Sequence, residues 1–352
     1  NLSRSLNSEL RISSVILCPL GLKLTILKFR LTMFAILKAP GKLLRKNMRT
    51  NTAYNYARRS AVLTDSEKLV DHSREISRTL SLESLYSTRN FLAAGSFGEI
   101  HRVVRKADNH HMAMKVLNLK EAHDNEHQMP VIVHNHHRPS KCDTVIKVDQ
   151  MFVERNQMFI IFDLMKGMDM LDYLLEIGPC PEDLSTRLIG RILKCVSDCH
   201  VAGVAHLDIK PDNLMFREEA KDGKLENLNP DGLTLVDFGS ARVLSSEEEH
   251  LGVNQGTGTV GYVAPEVLAD RGSIASDMWS VGVVSYMIMT GKMPFPIGQK
   301  GAEMTMKGKF KQDDKWHALS PCAKDFISNL LVVDPSERLN VNEALEHSFL
   351  QE

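Results

Sequence analysis

The pattern of apolar and polar positions changes in character near Phe91. Residues 91–100 contain an apolar run, a turn with Gly95 and Gly98, and a second run, which predicts a β-hairpin. Glycine at both turn positions permits positive φ and a close approach of the backbone to a ligand. Further apolar runs of strand length follow at 112–116, 145–152, 158–162 and 233–236.

The segment before Phe91 has a different pattern. Residues 15–37 are rich in Leu, Ile, Val and Phe but contain Lys23, Lys28 and Arg30, and such charges are costly within a spanning helix. The sequence therefore predicts no transmembrane segment. Residues 60–86 carry charges between spaced apolar positions, which predicts a helix that ends before Ser87.

Charge is balanced in total but unevenly distributed. The 43 Lys and Arg against 44 Asp and Glu give no whole-chain argument for binding nucleic acid or a membrane. Residues 1–64, however, contain twelve Lys and Arg and one acid, Glu9. Two interpretations of this extension stay open. It is a disordered or artefactual stretch, since the chain begins with Asn1 and Met33 or Met48 could be the start, or it is an organelle-targeting peptide.

The cysteines indicate a reduced compartment. All six are scattered without a CxxC pair, so we expect an intracellular, cytoplasmic protein, with organelle targeting by the basic extension as the alternative. Two groups suggest a metal site: Cys195, Cys199 and His200 at helical spacing, and the histidines of 134–137 near Cys142. Neither has a second set of ligands, so core packing is preferred for the first and a solvated loop for the second.

Polar residues at three places require explanation. Lys115 interrupts the apolar run 112–116, and a buried lysine is costly without an anionic partner. Asp237 directly follows the run 233–236. The segment 206–213 reads H-L-D-I-K-P-D-N, which taken alone could be a loop with Asp and Asn as turn formers.

Together these motifs resemble those of eukaryotic-type protein kinases. The run with Lys115 resembles V-A-I-K, and 206–213 resembles H-R-D-x-K-x-x-N. Residues 237–239 read D-F-G, and the glycine loop resembles G-x-G-x-x-G-x-V with Ala93 at its first position. A lysine two residues after Asp208, and Thr259 seven residues before Glu266, are typical of serine/threonine kinases. The similarity runs from about residue 90 to 350.

The resemblance implies an α+β, bilobal fold with a small β-rich N-lobe and a larger, mainly helical C-lobe. The expected boundaries are 1–85 for the N-terminal extension, 86–163 for the N-lobe and 164–352 for the C-lobe. In the C-lobe, Asp277 is expected to brace the catalytic loop, and Arg338 is expected to pair with Glu266.

The resemblance also implies ATP and Mg²⁺ as cofactors and a protein Ser or Thr hydroxyl as the acceptor. The expected catalytic residues are Lys115, Asp208, Lys210 and Thr259, and the expected metal ligands are Asn213 and Asp237. The residues expected to contact the nucleotide are Leu92, Gly95, Gly98, Ile100, Ala113, Lys115, Asp163, Met165 and Asp169.

The glutamate that should pair with Lys115 is the hardest residue to place. Glu126, eleven residues later, is the best candidate, since Glu121 is too close to Lys115 along the chain to lie on another element. Pro130 follows shortly after and predicts that this helix is cut short or distorted.

Leu207 bears on regulation. It replaces the arginine that pairs with an activation-loop phosphate in many kinases, and the acids of 247–249 would repel such a phosphate. Activity is therefore expected not to require phosphorylation of residues 240–258. An apolar residue before D-I-K-P-D-N is similar to the calcium/calmodulin-dependent group, in particular to myosin light chain and death-associated kinases. Because the chain stops at Glu352, the sequence does not support calmodulin binding.

Substrate preference and the competing functions follow from the same residues. Asp169 and Asp212 match positions that often receive a basic residue upstream of the target site. A pseudokinase scaffold is an alternative, favoured by Ala93 and the uncertain glutamate. Intact Lys115 and Asp208 argue against it. A small-molecule kinase is a further alternative, but the segment 259–266 suits a peptide substrate.

Overall fold

The computed structural model describes residues 81–95, 98–118, 125–136, 142–243 and 257–351. The predictions made for residues 1–80, 96–97 and 247–249, and for Glu121, lie outside the described residues. So does the side chain of Glu126.

An antiparallel sheet of five strands forms the first part of the described fold. In chain order these elements are α1 (Leu82–Leu85), β1 (Tyr86–Gly95), β2 (Gly98–Arg105), β3 (His110–Asn118), α2 (Asn125–His136), β4 (Val148–Glu154) and β5 (Gln157–Asp163). The strand order across the sheet is β1-β2-β3-β5-β4.

Successive residues of a strand face opposite sides of a sheet, which gives this sheet two different faces. One face carries a hydrophobic cluster to which β3 contributes Met112 and Met114, and which α1 closes through Leu82. The other face carries Ala113 and Lys115. The sheet therefore presents its lysine on the side away from that cluster.

Helices dominate the second part. They are α3 (Met170–Ile177), α4 (Glu182–Val201), α5 (Pro265–Leu268), α6 (Ile274–Thr290), α7 (Gln299–Met306), α8 (Asp314–His317), α9 (Pro321–Leu330) and α10 (Val341–Glu346). Every residue of α6 from Ser276 to Thr290 is buried, as expected of a helix that is apolar on nearly all sides and lies at the centre of a core.

Two short antiparallel pairs lie between α4 and α5. They are β6 (Val204–Ala205) with β9 (Arg242–Val243), and β7 (Leu214–Phe216) with β8 (Leu233–Leu235). A single turn of 3₁₀-helix, Pro211–Asn213, precedes β7. This β-rich first part and helical second part confirm the predicted α+β, bilobal architecture.

Helix α2 corrects two predictions. It continues through Pro130 to His136, so the prediction that Pro130 cuts it short is wrong. Proline removes one hydrogen bond of the helix, but Met129, Pro130 and Val133 are buried, and packing stabilises most helices in proteins.

The histidines 134 and 136 lie in that helix and not in a solvated loop. His134 is half-buried, and its Nε2 lies 3.2 Å from the carbonyl oxygen of Val145. Burial lowers the pKa of this imidazole below its ordinary value. Cys195 and Cys199 are fully buried, which confirms core packing, and burial raises the pKa of Cys195 to about 12. In the described segments no three His, Cys, Asp or Glu side chains could hold a metal ion.

Several boundaries also differ from the predictions. Strand β1 begins at Tyr86, five residues before the predicted start. The preceding helix ends at Leu85, which agrees with the predicted end before Ser87. Val145 lies outside β4 and instead forms an isolated bridge to Leu235. Within the described ranges, no helix has the length and apolar composition needed to cross a bilayer.

Candidate active site

A buried carboxylate fixes the backbone of segment 206–213. Asp277 of α6 accepts hydrogen bonds from the backbone N–H of His206 at 2.8 Å and of Leu207 at 2.7 Å. His200 Nε2 is 3.0 Å from the same carboxylate. The predicted bracing by Asp277 is confirmed. The part played by His200 was missed, because a lone histidine near a helix end carries no distinguishing sequence signal.

Four side chains converge beyond this brace. Asp208 Oδ1 accepts from the Thr259 hydroxyl at 2.6 Å, and its Oδ2 accepts from Lys210 Nζ at 2.8 Å. Lys210 Nζ also donates to Thr259 Oγ1 at 2.8 Å. Asn213 Nδ2 donates to the Asp208 carbonyl at 2.8 Å and to Oδ2 at 3.2 Å. The contacts predicted for Thr259 with both charged residues are therefore present.

Lys115 brings the sheet into this site. Its side chain is 7% exposed, and its Nζ lies 3.2 Å from Asp237 Oδ1, although 122 residues separate the two in sequence. The anionic partner that a buried lysine requires is thus supplied in part by Asp237.

Electrostatics keep Asp237 ionised. Burial by itself would raise the pKa of this carboxyl group, but the charge and hydrogen bond of Lys115 and the smaller contributions of Lys210 and His206 together outweigh it. The pKa of Asp237 consequently lies below its ordinary value. An ionised carboxylate of this kind is suited to hold a cation.

Asp237 and Asn213 arise from neighbouring backbone. The N–H of Val236 donates to the carbonyl of Asn213 at 2.9 Å, which continues the pairing of β7 with β8. Asp237 then adopts φ +61°, a left-handed conformation that redirects the chain where β8 has ended. The two predicted metal ligands are therefore brought to the same end of this hairpin.

Several apolar residues share the face of the sheet that carries Lys115. Ile100 and Ile160 stand opposite Lys115 on β2 and β5, and Phe162 stands opposite Ala113. Directly opposite residues share a face of an antiparallel pair, so these five side chains lie on one side. A further predicted residue, Leu92, lies in β1 at a break in register and is exposed.

The glycine hairpin approaches β3 closely. Gly98 pairs with Gly95 and has φ +147°, and a Cβ at Gly98 would lie 2.1 Å from the carbonyl oxygen of Val116. No side chain fits at this distance. The glycine is therefore required by the neighbouring strand, quite apart from any ligand.

The segment after β5 connects the two parts of the fold. Asp163 ends β5, and Met165 is half-buried just beyond it. Gly167 donates to the carbonyl of Phe216 at 3.1 Å, which anchors the segment to β7. Asp169 caps α3 by accepting from the N–H of Asp172 at 2.8 Å.

Leu207 is buried, with 4% of its surface exposed. Its side chain clusters with Ala205, and Val267 and Ile274 pack against them. The position is thus filled by apolar contacts with α5 and α6 rather than being open to a charged group.

An ion pair links α5 to the chain between α9 and α10. Arg338 donates to both carboxylate oxygens of Glu266, at 2.7 and 2.9 Å, and both side chains are buried. Ser276 donates to the same carboxylate at 2.8 Å. The predicted partnership of Arg338 and Glu266 is confirmed.

Comparison with known proteins identifies this arrangement. The model of the protein kinase domain matches residues 86–350. The chain belongs to the protein kinase family. Its relatives place the kinase in the serine/threonine class of the eukaryotic type, and members of this family use ATP and Mg²⁺.

Three relatives show the extent of the similarity. The serine/threonine-protein kinase H1 homolog of Danio rerio is 28% identical over 272 residues, which cover 75% of this chain and 61% of the relative. Ribosomal protein S6 kinase 2 alpha of Xenopus laevis is 28% identical, with 82% of this chain and 38% of the relative covered. Calcium/calmodulin-dependent protein kinase type 1 of Caenorhabditis briggsae is 30% identical, with 77% and 74% covered.

The last of these relatives confirms the predicted likeness to the calcium/calmodulin-dependent group. The chain spans less than two thirds of the length of the first two. The similarity therefore concerns the kinase domain.

Proposed function

We propose that this kinase transfers the γ-phosphoryl group of ATP to serine and threonine hydroxyls of proteins. The arrangement of Asp208, Lys210 and Thr259, within 2.8 Å of one another through their polar atoms, carries the proposal. It combines a carboxylate that can orient a hydroxyl, a cation that can neutralise a phosphoryl group, and a hydroxyl that holds both.

Each residue has a defined role in this reaction. Asp208 orients the acceptor hydroxyl and takes its proton as the new oxygen–phosphorus bond forms and the bond to the leaving ADP oxygen breaks. Lys210 stabilises the negative charge of the transferred group, and Thr259 fixes the relative position of the two side chains. Lys115 holds the α- and β-phosphates.

The residues present fit a magnesium ion with its nucleotide. Mg²⁺ prefers oxygen ligands. Asp237 is an ionised carboxylate, and Asn213, whose backbone pairs with that of Val236, offers the amide oxygen of its side chain. The amide nitrogen of Asn213 faces Asp208, which assigns the oxygen to the other side. Held by Asp237 and Asn213, a magnesium ion would neutralise negative charge on the phosphates of the nucleotide.

The nucleotide site proposed here uses both parts of the fold, 86–163 and 164–352. Leu92, Ile100 and Ala113 would contact the base and ribose from the sheet, and Gly95 and Gly98 would lie along the phosphates. The residues proposed for the connecting segment are Asp163, Met165 and Asp169. The sheet residues are supported by the face that Ile100 and Ala113 share with Lys115, and the connecting segment by the half-buried positions of its three residues.

One comparison tests the activity. Wild-type kinase and Asp208→Asn are incubated with radiolabelled ATP, Mg²⁺ and generic basic peptides, and nucleotide binding is measured in parallel. We expect transfer by the wild type and a loss of about 10²–10⁴-fold in the variant, with binding retained in both. Binding without transfer by the wild type would instead identify a scaffold.

We further propose that activity does not depend on phosphorylation of the activation segment. The support is Leu207, which is buried against Val267 and Ile274 and offers no cation for a phosphate. Kinase treated with phosphatase, then freed of it, should keep its activity toward a basic peptide. Loss of activity on this treatment contradicts the proposal.

The preferred substrate is proposed to carry basic residues upstream of the acceptor. Asp212 supports this, because it lies near Tyr262: the pKa of that phenol is raised first by burial and then by the negative charges of Asp212 and Asp208. Asp169 is half-buried at the start of α3 and adds a second carboxylate. Peptides with Arg or Gln upstream of one serine test the preference, and equal kcat/KM for both would exclude it.

An intracellular location is also proposed, because the described cysteines are all free thiols. Imaging of a fluorescent fusion of the full chain, compared with one that lacks residues 1–85, distinguishes the cytoplasm from an organelle.

A further inference from the structure

Five exposed lysines lie along the chain from the start of α7 to α8. This lysine surface consists of Lys300, Lys307, Lys309, Lys311 and Lys315. None of the five forms an ion pair with any residue that the structure describes, whereas the neighbouring Lys292 pairs with Asp313. Acids outnumber cations along the chain after Asp65, so this concentration of unpaired positive charge is local.

The backbone of this surface is fixed by the end of α7. Gly308 has φ +61°, and its N–H donates to the carbonyl oxygen of Thr305 at 3.0 Å. The N–H of Lys309 donates to the carbonyl oxygen of Met304, also at 3.0 Å. This pair of bonds defines a Schellman motif, in which the chain leaves the helix in one direction. Lys307 has an explanation as a cation at a helix C-terminus, but Lys309 and Lys311 lie beyond the helix.

An aromatic anchor holds the following residues. Phe310 packs between Trp316, at 4.9 Å between ring centroids, and Tyr286, at 6.1 Å. The hydroxyl of Tyr286 donates to the carbonyl of Lys311 at 2.9 Å. With Phe310 held in this way, the exposed Lys309 and Lys311 are presented on a fixed segment and lose little further backbone freedom on binding.

Apolar side chains lie beside the lysines. Met306 is 46% exposed and Val333 is 38% exposed. Val333 lies next to Gly308, since a Cβ at Gly308 would be 2.9 Å from the Cγ2 methyl group of Val333. Acids are also present, because Glu303 and Asp314 are exposed in the same stretch.

We propose that the lysine surface docks an acidic polypeptide segment that carries an apolar side chain. The unpaired lysines supply charge complementarity, and Met306 and Val333 supply apolar contact. A narrow polypeptide can place its carboxylates on Lys309 and Lys311 while avoiding Glu303 and Asp314. A flat anionic membrane would meet these acids together with the lysines, which disfavours it.

The direct test measures binding to the full chain. The probe is a fluorescein-labelled peptide in which glutamate alternates with alanine and one central residue is leucine, and its anisotropy reports binding. A peptide with glutamine in place of glutamate is the matched ligand control. We expect the acidic peptide to bind more tightly than the glutamine peptide, and its affinity to fall with added salt.

The variant Lys309→Gln with Lys311→Gln should weaken binding of the acidic peptide by about three- to tenfold, as expected for the loss of two exposed ion pairs. The matched protein control is Lys221→Gln with Lys224→Gln, two exposed lysines elsewhere, which should leave binding unchanged. Both variants should phosphorylate a short peptide like the wild type, because neither changes a residue of the active site.

Three outcomes would overturn the proposal. The first is equal binding of the acidic and glutamine peptides, and the second is an equal loss of peptide binding in the two double variants. The third is that Lys309→Gln with Lys311→Gln weakens binding to phosphatidylserine vesicles but leaves binding to the acidic peptide unchanged. The last result would assign the surface to a membrane. Binding is measured without phosphoryl transfer, so its failure and a failure of the proposed activity are distinguishable.

Discussion

At the scale of single residues, Thr259 offers a sharp test of the active site. Its hydroxyl donates to Asp208 and accepts from Lys210, so Thr259→Val leaves two charged groups without this partner at almost unchanged side-chain volume. We expect kcat toward a basic peptide to fall about 10- to 100-fold, since hydrogen bonds to charged groups contribute about 1.5–3 kcal/mol.

Thr259→Ser is the matched control, because it keeps the hydroxyl, and it should retain most of the activity. Steady-state kinetics on both variants decide the matter. Similar losses in the valine and serine variants would show that the hydroxyl alone does not explain the contribution of Thr259, because the serine variant keeps it.

Lys115 controls the ionisation of Asp237. In Lys115→Met the burial of Asp237 is no longer opposed by its main cationic neighbour, so the pKa of the carboxyl group should rise. We expect a loss of stability of about 1–3 kcal/mol at pH 7, the usual cost of leaving a partly buried group unpaired.

The sign of the pH dependence follows from linkage. In the wild type the lowered pKa of Asp237 contributes stability that is present above the unfolded value of about 4 and is lost below it. In the variant the raised pKa lets Asp237 of the folded state bind a proton at a higher pH than in the unfolded state, which stabilises the folded variant as pH falls. The difference in unfolding free energy between the two proteins should therefore shrink as pH falls from neutral toward about 4. A difference that is constant or widens over this range contradicts the assignment.

Residues such as Asp208, Lys210 and Asp237 could be found from sequence because their motifs are short and their spacing is local. The setting of Leu207 could not. Its burial depends on Val267 and Ile274, far along the chain, which no local pattern reveals. The partner of Lys115 also illustrates this limit, since Asp237 is 122 residues away and was recognised only as a metal ligand.

At the scale of elements, Gly98 couples the glycine hairpin to the strand that carries Lys115. In Gly98→Ala the added Cβ would meet the carbonyl of Val116 at 2.1 Å, so β2 and β3 must separate. We expect a loss of stability of about 1–3 kcal/mol, typical of an overpacked site, and a higher KM for ATP because Lys115 adjoins Val116.

Gly190→Ala provides a matched control within α4. Apart from adjoining residues and the backbone of α4 itself, no atom of the described residues lies within 4 Å of a Cβ at Gly190. This variant should therefore be stabilised by about 0.5–1 kcal/mol from helix propensity, with KM for ATP unchanged. Chemical denaturation and kinetics test both variants. An unchanged KM in Gly98→Ala would mean that the hairpin and Lys115 move independently.

The boundaries of elements were less predictable than their existence. The strands with Gly98 and Lys115 follow from apolar runs, yet β1 begins before its apolar run, because Tyr86 packs into the core cluster beside Leu82. Helix α2 continues through Pro130 because buried neighbours stabilise it. Tertiary packing decides both, and a local pattern does not record it.

At the scale of the whole molecule, the pair Glu266–Arg338 joins segments 72 residues apart. Its arginine is fully buried and also donates to the carbonyls of Ala275 at 2.6 Å and of Val332 at 3.0 Å. Its guanidinium further lies over the ring of Trp279 at 5.3 Å. The pair thus ties the start of α5, the start of α6 and the chain after α9 into one unit.

Removing the arginine should be costly because a buried carboxylate is left behind. We expect Arg338→Leu to lower the unfolding free energy by about 3–5 kcal/mol, measured by chemical denaturation. Lys292→Leu is the matched control, since its pair with Asp313 is more exposed, and it should cost less than about 1 kcal/mol. Because α5 follows Thr259 closely, partial loss of activity should accompany Arg338→Leu at temperatures where the protein is still folded. Equal effects of the two substitutions would show that the position of an ion pair in this fold does not govern its contribution.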